Sequence, residues 1–208
     1  LRQLAAEEHL DLLAVRDWPE LPERLGQWPH LAVVRLLNEG FPIACEGDLD
    51  GALSLLAGSL LGCGAGAVCD WLEHDGDTIT LWHAGDAPFT LCEPVGSPRG
   101  PSLGRHFNNR KPLVVNATLR AGDAVTIFRL WRCDGEYRAT AFEGETLPPR
   151  RTLLGDHGLV RVAGDAHDRF DALCHAGMPH HVVLLGGHQA RLLRRFARQV
   201  GVRWTEGA

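Results

Sequence analysis

The sequence predicts an α/β segment over residues 1–66, then a β domain over residues 67–208 with barrel or sandwich character, to which residues 166–204 return as an α/β unit. Three observations carry this reading. In the first third, helical patterns alternate with short apolar runs closed by turn signals, which is the rhythm of α/β units. Between Ala67 and Val162 the apolar runs are short and separated by turn dipeptides, as in a barrel or sandwich. From Ala166 onward the helical period returns around a single apolar strand.

The elements follow in order. Leu1 to His9 has a helical pattern, and Leu10 to Val15 is an apolar run broken only by Asp11, with the character of a buried strand. Pro19 to Leu25 opens on a proline, which a helix accepts at its start, and Leu31 to Asn38 is amphipathic and closed by Glu39-Gly40. Phe41 to Cys45 reads as a short strand, after which Asp48 stands as N-cap of a helix over Leu49 to Leu61. In the middle, strands are expected at Thr78 to Trp82, Leu113 to Val115, Ala124 to Trp131, Tyr137 to Phe142 and Leu159 to Val162. Asp134-Gly135 is a tight-hairpin dipeptide. Pro94 to Lys111, rich in Gly, Pro, Asn and Arg, reads as a long surface loop. The final unit is a helix at Ala166 to Ala176, a strand at His181 to Leu185 and an amphipathic helix at His188 to Val200, whose four arginines read as a solvated face.

Composition narrows the function classes. The 208 residues are 45% hydrophobic and 23% charged, an ordinary globular balance long enough to bury a core. A net charge of −5 argues against nucleic-acid binding, and no apolar run approaches the length of a bilayer span, so no membrane partner is expected. Leu1 to Glu8 has no apolar core or cleavage site and is not read as a secretory signal. The cysteines at 45, 63, 69, 92, 133 and 174 show no Cys-x-x-Cys pair. They read as free thiols of a cytoplasmic protein rather than as three disulfides. Eleven histidines against one tyrosine are the compositional oddity.

Chemistry gathers at three strand ends. Glu46 follows an apolar strand and precedes Gly47 and the helix cap Asp48, at the kind of position where α/β folds present ligand groups. Asp70-Trp71 follows Ala65 to Cys69, and His83 ends an apolar run ahead of a Gly/Pro turn. His180-His181 opens the last strand, where alternation sends two adjacent rings to opposite faces, so one of them at most is expected in any single site. Two carboxylates with one or two imidazoles form an oxygen/nitrogen donor set suited to Mn²⁺, Mg²⁺ or Co²⁺ rather than a thiolate zinc site. An ion with open positions chelates neighbouring sugar oxygens, and a carboxylate beside it can carry a proton between adjacent carbons.

The segments Ile43–Ser54 (IACEGDLDGALS), Cys69–Trp71 (CDW), Leu81–Phe89 (LWHAGDAPF), Gly122–Ile127 (GDAVTI), Phe142–Leu147 (FEGETL) and Gly177–His181 (GMPHH) together resemble the L-fucose/L-arabinose isomerase superfamily, in its order and over nearly the whole chain. The resemblance implies the end of a Rossmann-like α/β domain over 1–66 followed by a C-terminal antiparallel β-barrel domain. It also implies a metal-dependent aldose–ketose isomerase, usually with Mn²⁺, working on a small-molecule sugar through a cis-enediol. By position, Glu46 and Asp70 match the paired carboxylates that ligate the ion and shuttle the proton. His83 and His181 match the ligand histidines, while His180 and Trp82 are placed as substrate-lining residues. The family's habit of sharing sites between subunits implies a homo-oligomer, a trimer or hexamer. Family members are about twice as long, so the chain is read as either a fragment or a reduced relative. The alternative function is a non-catalytic sugar-binding or regulatory remnant; a metal-dependent hydrolase is a third reading that nothing in the sequence asks for.

Overall fold

The computed structural model describes residues 1–207. Its first segment holds α1 (Arg2–Glu7), β1 (Leu13–Ala14), α2 (Glu20–Leu25), α3 (His30–Asn38), β2 (Ile43–Ala44) and α4 (Leu49–Leu60). The run Leu10 to Val15 shrinks to a two-residue strand that pairs in parallel with β2, Leu13 opposite Ile43 and Ala14 opposite Ala44. Asp48 caps α4, its carboxylate accepting from the Gly51 N–H at 2.8 Å.

The remainder carries β3 (Ala67–Asp75), β4 (Thr78–His83), β5 (Ser102–Gly104), β6 (Val114–Thr118), β7 (Ala124–Cys133), β8 (Glu136–Leu147), β9 (Asp156–Val162), α5 (Ala166–His175), β10 (His181–Gly186), α6 (Ala190–Gln199) and β11 (Arg203–Trp204). These strands lie in the order β11-β8-β7-β10-β3-β4-β9-β6-β5, and a further pairing joins β8 to β9. The strands β8, β7, β10, β3, β4 and β9 therefore form a closed cycle of antiparallel pairings. The β7–β8 hairpin turns on Asp134 and Gly135, both at positive φ, as the primed turn of a two-residue loop requires. The expected long loop is interrupted by β5, which pairs with β6.

Strand alternation divides the interior in two. Val182 and Leu184 of β10, with Ile127 and Trp131 of β7, join Trp71, Leu81 and Val160 in one core. Val183 and Leu185, with Phe128 and Leu130, face the other way and pack with α3, α4 and α6. The central strands are thus buried on both faces, and α4 lies across β7 and β10. Ser54 pins that contact by accepting the Leu130 N–H on its hydroxyl at 2.9 Å. This docking brings the loop between β2 and α4, where Glu46 and Asp48 sit, to Asp70 within β3 and His181 at the start of β10.

Candidate functional site

Asp70, Trp82 and His181 belong to neighbouring strands in direct register: His181 lies opposite Asp70 in the β10–β3 pair, and Asp70 opposite Trp82 in the β3–β4 pair. The His181 ring is the centre of the cluster. Its Nδ1 lies 3.0 Å from Asp48 Oδ2, and its Nε2 lies 3.1 Å from Asp70 Oδ1 and 3.6 Å from Glu46 Oε2. Glu46, Asp70 and His181 therefore meet at one place, although they come from three separate stretches of chain. Asp48 is more than a helix cap: beyond Gly51 it takes a two-pronged contact from the buried Arg129 guanidinium, at 2.7 and 2.8 Å.

His180 corrects the alternation argument. Its Nε2 lies 3.3 Å from the same Asp70 oxygen that His181 approaches. Both rings meet one carboxylate because β10 begins only at His181, so His180 lies outside the pleat and its ring is free of the strand's two-face rule. Donor atoms of Asp70, His180 and His181 all lie within 4.8 Å of one another, close enough to share an ion. Trp82 donates its indole N–H to the Leu154 carbonyl at 2.6 Å and meets the half-exposed Phe107 ring edge-on at 5.0 Å.

His83 sits beside the cluster, its ring centroid 5.6 Å from that of His181. Its Nδ1 is held by Asp86 Oδ1 at 2.6 Å, while Nε2 is buried and has no hydrogen-bond partner. His181 follows the same plan, Nδ1 held by a carboxylate and Nε2 left to the site. A carboxylate on one ring nitrogen fixes the tautomer and aims the other, which is how metal-binding imidazoles are held. Sequence reasoning missed Asp86, although its signal was present: it stands three residues after His83, within reach across a tight turn.

Charge explains the protonation of this cluster. Burial alone would lower the His83 pKa, but the neighbouring Asp86 overrides it and lifts the value to about 10. Burial likewise opposes a charged His181, and hydrogen bonds to Asp48 and Asp70 lift it to about 9. Burial would raise the Asp48 and Asp70 carboxyls, yet His181 bonded to both, with Arg129 beside Asp48, holds them below the usual range. The carboxylates of Asp48, Asp70, Asp86 and Asp156 thus draw positive charge onto the two imidazoles. A divalent cation at that position would have to displace those protons.

What these residues define is a carboxylate–imidazole centre built across adjacent strands and the β2–α4 loop. No family model matches the chain. Relatives match along nearly its whole length and carry the name sulfoquinovose isomerase. That of Priestia megaterium is 28% identical over 198 residues, covering 94% of this chain and 44% of the relative. That of Alkalicoccus urumqiensis is 27% identical over 201 residues, covering 95% of this chain and 44% of the relative. That of Clostridium sp. is 30% identical over 189 residues, covering 87% of this chain and 41% of the relative. The chain thus spans less than half the length of the curated relatives it matches. This overturns the resemblance to the L-fucose/L-arabinose isomerase superfamily. The segments that carried it are short and do not establish descent on their own.

Proposed function

We propose that this chain carries the reaction centre of an aldose–ketose isomerase acting on a sugar, with sulfoquinovose, the sugar in its relatives' names, as the first substrate to test. The carrying observation is the pair of imidazoles, His83 and His181, each gripped at Nδ1 by a carboxylate and clustered with Glu46 and Asp70. The donor set fits a divalent cation: the buried Nε2 of His83 is an orphan that an ion would satisfy, and Asp70, His180 and His181 already lie within ligating reach of one another. Glu46, Asp70 and His181, with His83 or His180 completing the set, would hold Mn²⁺, Mg²⁺ or Co²⁺. Such an ion supplies Lewis acidity, polarising the carbonyl and neighbouring hydroxyl oxygens of the sugar.

The proton chemistry belongs to the chain. Glu46 has a half-exposed side chain and so is open to an entering substrate. Its carboxylate takes the proton from C2 of the aldose while the carbonyl oxygen at C1 gains one, giving a cis-enediol. Delivery of a proton to C1 and loss of one from the C2 hydroxyl complete the ketose, with Asp70 as the second carboxylate of the pair. Asp48 and Asp86 orient the imidazoles throughout. The six free cysteines fit work in a reducing compartment, the cytoplasm.

The test is ¹H NMR of sulfoquinovose in D₂O with the purified protein and MnCl₂. The expected result is appearance of the ketose with deuterium exchanged at the transferred position, suppression by EDTA, and a roughly 10²–10⁴-fold loss in Glu46→Gln. Turnover by Glu46→Gln within a few-fold of the parent removes Glu46 from the reaction. Turnover that persists in EDTA removes the cation.

A further inference from the structure

Behind Glu46 lies a second, fully buried polar pair, apart from the side chains gathered around His181. Asp17 and His30 are each 1% exposed, and their side chains meet at 3.0 Å between Oδ2 and Nε2. The other Asp17 oxygen accepts the backbone N–H of Glu46 at 2.6 Å. Glu46 needs such a hold, because it sits at φ +60°, in the left-handed region that non-glycine residues occupy only at an energetic cost. The next residue, Gly47, is also left-handed, and its N–H is tied to the Val15 carbonyl at 3.0 Å. Residues 15–17 therefore fasten both halves of the turn that presents the Glu46 carboxylate. Burying a carboxylate and an imidazole costs far more than filling the same volume with leucine. The pair is also sealed in, since Trp28 covers His30 at 5.1 Å and stacks on His106 at 3.9 Å.

We infer that Asp17 is a positioning residue, held by His30, that fixes the left-handed backbone of Glu46 and so aims its carboxylate at the cluster formed with Asp70 and His181. This deepens the isomerase reading and rests on it for the role of Glu46. The competing use of the same residues is a second cation site, since Asp17, His30 and the buried Cys45 have donor atoms within 4.8 Å of one another. Geometry argues against it. Both Asp17 oxygens and His30 Nε2 are already engaged with protein partners, which leaves the buried, unpaired Nδ1 as the one free nitrogen donor of His30.

The experiment titrates Mn²⁺ into the parent protein and into Asp17→Ala, Asp17→Asn, Glu46→Gln and the double variant Asp17→Ala/Glu46→Gln, with melting curves and metal stoichiometry for each. Loss of an orienting partner weakens metal binding by roughly 10–100-fold, and that loss is expected for Asp17→Ala. Asp17→Asn still offers an amide oxygen to the Glu46 N–H and is expected to stay within about three-fold of the parent on the same basis. If Asp17 acts through Glu46, adding Asp17→Ala to Glu46→Gln brings little further loss, whereas a merely structural role gives an additive one. Additive losses, an unaffected Asp17→Ala, or a folded Asp17→Asn that binds as weakly as Asp17→Ala's expected loss each overturn the positioning role. Two Mn²⁺ per chain, falling to one in Asp17→Asn, overturns it in favour of the second cation site. If instead Glu46→Gln itself binds Mn²⁺ normally, it is the isomerase reading of Glu46 that fails.

Discussion

Asp156 shows how a single buried residue makes stability depend on pH within one window. Its carboxyl is 1% exposed, and burial together with the nearby Asp86 raises its pKa to about 6. It accepts the Asp86 and Ala87 N–H groups on one oxygen, at 2.7 and 3.4 Å, so an amide at this position can keep those contacts. In the unfolded chain the group titrates near 4. Between about pH 4 and 6 the native state then holds the proton that the unfolded state has released, so stability falls as pH rises through that window and levels off above it. Asp156→Asn, neutral at every pH, is expected to melt above the parent at pH 7.5 and to lose that advantage at pH 4. A variant that melts below the parent at pH 7.5 while matching it at pH 4 would show that the ionised carboxylate is favoured where it lies. At this scale the sequence was readable only in part. Glu46 and His181 could be singled out because strand, glycine and helix signals surround them. Asp17 could not, because its importance comes from a backbone N–H 29 positions away, and nothing in its own neighbourhood announces that contact.

The helix α4 joins stability to the site through its N-cap residue. Asp48 was legible as a cap because a short acidic side chain ahead of an apolar helical run satisfies the orphan N–H groups there. Its contacts with Arg129 and His181 were not, since they depend on α4 lying across β7 and β10. Asp48→Ala removes the cap, worth about 1 kcal/mol. It also leaves Arg129, 3% exposed, as a buried charge without its partner, a loss of roughly 3–5 kcal/mol. Urea denaturation is expected to show a deficit of that order. The double variant Asp48→Ser/Arg129→Met restores a capping oxygen and removes the stranded charge, and it is expected to regain most of the stability while still leaving His181 Nδ1 unheld. Equal stabilities for Asp48→Ala and the parent would mean that the Arg129 contact contributes nothing. The strands illustrate the same division. Thr78 to Trp82 and His181 to Leu185 were expected within a residue of their observed ends, because their β-branched and apolar runs are bounded by turns and glycines. β3 runs on to Asp75 through Glu73 and His74, where polar side chains on an exposed stretch hid the strand.

At the scale of the whole molecule, the order in which strands pair decides whether the site exists, and local pattern says little about that order. Asp70 and His181 are neighbours because β10, from the far end of the chain, enters between β3 and β7. Hydrophobic alternation reports that a strand has two buried faces, yet it cannot choose its partners. The cycle is completed where β8 leaves β7 and continues beside β9, and Gly144 stands at that crossing, opposite Val125 on one side and Val162 on the other. A Cβ there would lie 2.4 Å from the Arg161 carbonyl oxygen and 2.7 Å from Val160 Cγ1. The first of these is backbone and cannot swing aside, so a side chain at 144 must force β8 and β9 apart. Gly144→Val is therefore expected to cost roughly 3 kcal/mol, the upper end of overpacking penalties. Glu145→Val, on the exposed neighbouring position of the same strand, should stay within about 0.5 kcal/mol of the parent. Because β9 also pairs with β4, and β4 with β3, loosening that seam is expected to reach Asp70 and weaken Mn²⁺ binding in Gly144→Val but not in Glu145→Val. Thermal melting and Mn²⁺ titration of the two variants check this together, and similar behaviour from both would place the closure of the sheet outside the forces that build the site.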